Sequence, residues 1–309
     1  MAALPLADAV PPPFTAGALL RSWDFEPLVV IPIIVIGTLY LLGYRRVRRQ
    51  PRPVFPAWRA RCFIASMVLI YAAVVGPLDT YSDVDVAVHM FQHVVLLYLC
   101  APLAVAGAPA TVALRALSPA RRARYVLPVL HNRFTYALTR PAVVGVLYAC
   151  DLLATHFTPW YNLSLENQYI HDLEHLSYLV FGFLLWEVLI GVDPIRNRAT
   201  WPQRMLLVFL EMPVMVVISV VFILSNHPLY PYYTALPAPW GGASRVVADQ
   251  GLAGAIMWVP SLAVTLVAVL YLAIAWFGED EARQRRLEAI EDARQKSGSQ
   301  RSGSQRSGS

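Results

Sequence analysis

Charge is what this sequence lacks most. Only 15% of its 309 residues are Asp, Glu, Lys or Arg, while 57% are hydrophobic. The mean hydropathy is +0.50. A soluble domain carries about 25% charged residues to wet its surface, so the shortage excludes an ordinary soluble fold and leaves an all-α polytopic membrane bundle. Cysteine is scarce as well. Cys62, Cys100 and Cys150 form no CxxC pair, which argues against a thiolate metal site or a disulfide framework. All three read as small core residues. No CxxCH occurs, and covalent haem attachment is excluded with it. A basic surface interleaved with aromatics is missing too, so the net charge of +5 does not point to nucleic acid. The opening residues lack the basic region and compact apolar core of a signal peptide.

Seven apolar segments are present, at about 27–43, 60–77, 87–107, 139–156, 173–191, 203–225 and 251–277. Most approach the ~20 residues that cross a bilayer as a helix. The loops between them alternate in charge. Residues 44–61, 108–140 and 192–204 are rich in Arg, as is the stretch after 277, whereas 78–86 and 157–172 hold no Lys or Arg and 226–250 only Arg245. By the positive-inside rule the N-terminus lies outside and the C-terminus in the cytoplasm. The expected organisation is an extracytoplasmic Pro-rich lead-in (1–26), a seven-helix transmembrane domain (27–277), and a charged cytoplasmic helix with a flexible low-complexity tail (278–309). Trp23, Trp160, Trp240 and Tyr161 are expected in the aromatic belts at the membrane surfaces.

The histidines are not spread evenly. Of seven, only His131 falls in a basic loop. His89 and His93 open the third span in HMFQH, His156 ends the fourth, His171 and His175 open the fifth in HDLEH, and His227 follows the sixth. Four residues along a helix advance about 400° and rise about 6 Å, so each H-x-x-x-H pair presents two imidazoles on one face. Met90 and Met257 offer thioethers near this end, and Asp79, Asp83, Asp85 and Asp249 offer oxygens. Imidazole suits copper, zinc and iron, and thioether shifts preference towards cuprous copper. A thiol-free site also suits an oxidising compartment. Copper is the favoured ion and zinc the second. The competing explanation is that these histidines are interfacial polar residues satisfied by water and loop carbonyls. HDLEH is not the zinc-protease HExxH, because Asp172 follows His171 and Glu174 sits before His175.

Two further carboxylates lie inside apolar runs. Glu211, beside Pro213 in FLEMPVM, reads either as part of an ion path or as a protonated hydrogen-bond donor to a neighbouring helix. Asp151, about one turn from His156, reads either as a carboxylate orienting an imidazole or as a helix–helix hydrogen bond.

Four stretches carry a resemblance: HMFQHVVLLYLCAPLAVAGAP (89–109), HDLEHLSYLVFGFLLWEVLIGVDP (171–194), LSNHPLYPYY (224–233) and DQGLAGAIMWVP (249–260). Together they resemble the CtaG-like cytochrome c oxidase assembly factors, a multi-span family of bacterial inner membranes. His89 and His93 match its H-x-x-Q-H motif, His171 and His175 its H-x-x-x-H motif, and Asp249, Gln250, Met257 and Trp258 its DQ…MW motif. Asp193 and Pro194 match a DP turn. Ala253 departs from a Gly–Gly pair usual there. The resemblance implies a non-enzymatic role in oxidase assembly, with copper passed to oxidase subunits from the outer face and a copper donor protein upstream. The implied ligands are His89, His93, His156, His171, His175, Asp249 and Met257, with Met90, Asp79, Asp151, His227 and Glu211 as further candidates. Other functions are a haem-binding or haem-handling protein, a copper transporter using Glu211, Met212 and Met215, and a scaffold for oxidase subunits.

Overall fold

The computed structural model describes residues 10–306 apart from 24, 52, 53 and 196, with side chains as far as residue 291. The first nine residues of the lead-in, Arg52 and Arg196 of two basic loops, and the last three residues of the tail lie outside the described residues. Helices account for the fold, and no strand occurs among the described residues. Six helices are long and apolar enough to cross a membrane, or seven if one bent pair counts as a single span.

The first long helix, α1, is Pro27–Arg48, and α2 is Ala57–Val74. α3 begins at Val86–Val95, passes through a π-helical turn at Leu96–Cys100 and finishes in Ala101–Ala106. α4 is Pro141–Phe157, followed after a 67° bend by the short helix Trp160–Glu166. α5 is Gln168–Ile190, α6 is Trp201–Leu224, and α7 is Ala243–Arg306. The fourth span is thus a helix of 17 residues plus a bent continuation. The bend falls at Thr158 and Pro159, where proline removes a backbone donor and disfavours helix in the residue before it.

The chain divides into two compact units at Thr265. In the first, polar side chains are buried beside an apolar core, and large apolar side chains also cover the outside. His89, Gln92, Glu174 and Ser66 are fully buried, whereas Ile34, Leu39, Leu206, Phe209 and Leu210 are exposed. In water so large an apolar surface would aggregate, and in lipid it is the ordinary exterior. The second unit, from Leu266 onward, is the rest of α7. It exposes Leu266, Val267, Leu270, Ile274 and Phe277, and then turns to a charged run from Glu279.

The π turn in α3 follows from Pro102. Proline cannot donate and crowds the carbonyl four residues back. Here the Ala101 amide reaches back five residues to the Leu96 carbonyl. The Leu97 carbonyl that this frees accepts the Trp186 indole N–H at 2.8 Å, and the Cys100 carbonyl accepts the Ser66 hydroxyl at 2.7 Å. Buried backbone acceptors in lipid need such partners, so α3 is tied laterally to α5 and α2. At the arginine-rich end the helix Pro109–Ala116 packs against α1, where a β-carbon on Gly43 would come within 2.9 Å of Val112. Both oxygens of Asp193 accept at that helix's start, from the Ala110 amide (2.9 Å) and from the amide and hydroxyl of Thr111 (2.7 Å each). The DP turn is therefore a helix cap. The Arg204 guanidinium donates to Leu189 O, Ile190 O and Ala199 O, closing the C-terminal end of α5.

Candidate metal centre

α5 shows how the sequence builds the site. His171, Glu174, His175 and Tyr178 follow i, i+3, i+4, i+7 spacing, which is one helical face. All four are 0–4% exposed. Because α5 starts at Gln168, both histidines lie within its first two turns. α3 brings His89 and His93 opposite them, and α4 brings His156. Ring centroids are 4.4 Å apart for His89 and His93, 5.0 Å for His89 and His171, 4.2 Å for His171 and His175, 5.7 Å for His93 and His175, and 6.1 Å for His93 and His156. Five histidines from three helices thus form one cluster.

Two sets of possible ligand atoms converge. One atom each from His89, His93 and His171 lie mutually within 4.8 Å, and so do one each from Asp79, His171 and His175. Nε2 of all five histidines is buried without a hydrogen-bond partner, as is Nδ1 of His93. Such atoms are rare, because each carries a desolvation penalty of roughly 1–3 kcal/mol. Two rings also have their tautomers set. His89 Nδ1 lies 3.3 Å from the Ser82 carbonyl, and His156 Nδ1 lies 2.8 Å from the Leu152 carbonyl. A carbonyl only accepts, so Nδ1 carries the proton and Nε2 keeps its lone pair free. Such a backbone contact is the usual support of a metal-bound imidazole.

Around the rings stands a shell that sequence reasoning left without a role. Gln92, fully buried, donates from Nε2 to the Ala73 carbonyl (2.8 Å) and to Asp79 Oδ1 (2.9 Å). The Gln of H-x-x-Q-H therefore aims the Asp79 carboxylate. Asp79 sits on the short helix Pro77–Ser82, where burial, with Asp83 beside it, holds its carboxyl well above the ordinary carboxylate range. The Tyr178 hydroxyl bridges Thr155 (2.6 Å) and the Glu174 carboxylate (3.3 Å), and its ring centroid is 4.6 Å from that of His93. Glu174 leaves Oε2 without a partner. The Tyr233 hydroxyl donates to Ser82 O at 2.9 Å and lies 3.2 Å from His89 Nδ1. The helical spacing of His171, Glu174, His175 and Tyr178 was the available signal for Glu174 and Tyr178.

Several expected ligands have other partners. Asp249 accepts the α3 amides of Val86 (2.7 Å) and Ala87 (3.3 Å), and Asp85, ion-paired to Arg245 at 3.0 Å, accepts that of Val88. Asp249 is thus a cap for the helix that carries His89. Gln250 of the same motif accepts the Leu229 amide at 2.8 Å and pins the loop after α6. Asp151 accepts from Ser177 at 3.2 Å, whereas the His156 ring turns to Leu152. His227 is exposed, with Nδ1 3.4 Å from the Ser225 hydroxyl. Glu211 accepts from Tyr98 and Thr265 at 3.2 Å each, beside a cavity of about 10 Å³, room for about one water. Met90 and Met257 are buried. Trp240 and Tyr161 are buried rather than lying in an interfacial belt, Trp240 donating to the Pro11 carbonyl and the Tyr161 hydroxyl lying 3.2 Å from that of Tyr233, and Cys150 is exposed rather than core.

Fold and site define a polytopic helical membrane protein with a buried histidine cluster between α3, α4 and α5. The model of the cytochrome c oxidase caa3 assembly factor family matches residues 38–279, and the chain belongs to that family. Curated relatives include uncharacterised proteins of Mycobacterium bovis and Mycobacterium tuberculosis, each 27% identical over 93% of this chain, and one of Mycobacterium leprae, 26% identical over 89%. The chain spans less than half the length of these relatives, 43%, 43% and 42% respectively. No solved structure matches it.

Proposed function

We propose that this protein binds a copper ion at the histidine cluster and hands it to a cytochrome c oxidase subunit during assembly. Copper is here the cargo, and no covalent chemistry is involved. The observation that carries the proposal is the set of unpartnered, buried Nε2 atoms on His89, His93, His156, His171 and His175. An apolar bundle has no structural use for five desolvated imidazoles, whereas a cation compensates those whose ligand atoms converge on it. Neutral nitrogen donors without thiolate hold copper without burying excess negative charge. Zinc fits the same donors less selectively.

The positive-inside rule places the arginine-rich loops in the cytoplasm and the histidine end on the outer face. The receiving copper centre would then be loaded from that side. The haem reading is weaker, because a haem is held by two axial histidines and would leave the other buried imidazole nitrogens of the cluster without a partner. The transporter reading is weaker because Glu211 is held by Tyr98 and Thr265 rather than by any member of the cluster.

The test is metal analysis of purified protein. Wild type should carry copper, and His89→Ala and His171→Ala should carry much less. Equal copper in all three would refute the proposal.

A further inference from the structure

The two convergent ligand sets share one residue. His171 belongs both to the three-nitrogen set with His89 and His93 and to the mixed set with Asp79 and His175. A neutral imidazole has a single lone pair, so it serves one ion at a time. The sets also differ in chemistry. The first offers only imidazole, suited to a soft or borderline ion, and the second replaces one nitrogen with a hard carboxylate oxygen. Their surroundings differ too. His89, His93 and His171 are all 0–2% exposed. His175, by contrast, lines an apolar groove of about 530 Å³ between α1, α2 and α5, with Asp172 and Tyr169 also on its wall and Val29, Ile33 and Leu176 among its apolar lining.

We infer that the centre is two overlapping positions for a single ion, with His171 as the pivot. The enclosed position is His89, His93 and His171. The groove-side position is Asp79, His171 and His175; its Asp79, on the short helix Pro77–Ser82 outside the long spans, is the one partly buried ligand of the two sets, and the ion enters and leaves past it. This rests on the copper-binding reading above. The ion moves between positions by exchanging ligands one or two at a time around a contact that is never broken, so no step exposes a bare cation to the apolar interior. Gln92 holds the Asp79 carboxylate in place for the exchange, and it lies on α3 next to His93 of the enclosed position.

The experiment uses the full chain in detergent, loaded anaerobically with Cu(I). Copper per chain is measured, and then the rate of its release to a water-soluble Cu(I) chelator. Wild type should hold one ion per chain. Asp79→Asn and His175→Asn should still hold one, released about tenfold more slowly, the scale on which loss of one contact at a metal site acts. His171→Ala should hold none. His175→Asn leaves the Gln92–Asp79 contact intact and serves if Asp79→Asn fails to fold by size-exclusion chromatography. Two ions per chain in wild type would overturn the inference. So would release from both groove-side variants at the wild-type rate, or variants as empty as His171→Ala. A wild-type chain that takes up no copper would instead end the copper-binding reading itself, and this inference with it.

Discussion

The two ends of this bundle both bury polar groups, and they treat them in opposite ways. At the arginine-rich end Asp193 uses both carboxyl oxygens on the start of one helix, and Arg204 closes the carbonyls at the end of another. Glu187 there gives one oxygen to the Asp193 amide and leaves the other over. At the histidine end five rings leave Nε2 buried with no protein partner. The contrast separates architecture from function. A buried polar group matched to backbone ends holds the fold together. A cluster of buried donors matched to nothing is a site for a ligand from outside.

Removing rings should give the largest effect. The double variant His89→Leu, His171→Leu should lose essentially all copper at the histidine end, and melting temperature without copper should not fall, since desolvated nitrogens are removed while the buried volume is kept. A marked fall in apo stability would show that the rings are structural and would erase the contrast. Next comes the shell. Gln92→Leu frees the Asp79 carboxylate of the groove-side position and should leave one ion per chain while slowing its release by up to about tenfold, read by transfer to a water-soluble chelator. At the other end Asp193→Ala should lower stability by on the order of 1–2 kcal/mol and leave copper content unchanged. Imidazole nitrogens must be unprotonated to bind metal, so copper should be released as pH falls below the ordinary imidazole range, about 6.5. The smallest effect is expected for His227→Ala, whose ring is exposed after α6. Copper content should not change, and stability should shift by less than about 0.5 kcal/mol.

Much of this was legible in the sequence, for identifiable reasons. Long apolar runs give the spans, because a bilayer demands length and hydropathy whatever the packing. The H-x-x-x-H spacing gives two pairs of rings, because helical geometry is local. What the sequence does not carry is which helix ends meet. Asp249 looks like a ligand on its own. Only the approach of α7 to the start of α3 shows it to be a cap. Asp151 lies about one turn from His156, yet that ring finds a nearer acceptor in its own helix, the Leu152 carbonyl. Asp79 acquires its role from Gln92, 13 residues away along the chain. The helix Trp160–Glu166 after the bend falls in a stretch that reads as a loop, because hydropathy ends the fourth span at 156 and does not mark so short a continuation.

The most direct test of the central claim is X-ray absorption spectroscopy at the copper edge of the loaded protein. Coordination by nitrogen, with the outer scattering pattern of imidazole rings, is the expected result, and it should be lost in the variant lacking His89 and His171. A spectrum dominated by sulfur, or one unchanged in that variant, would contradict the histidine cluster as the place where the ion sits.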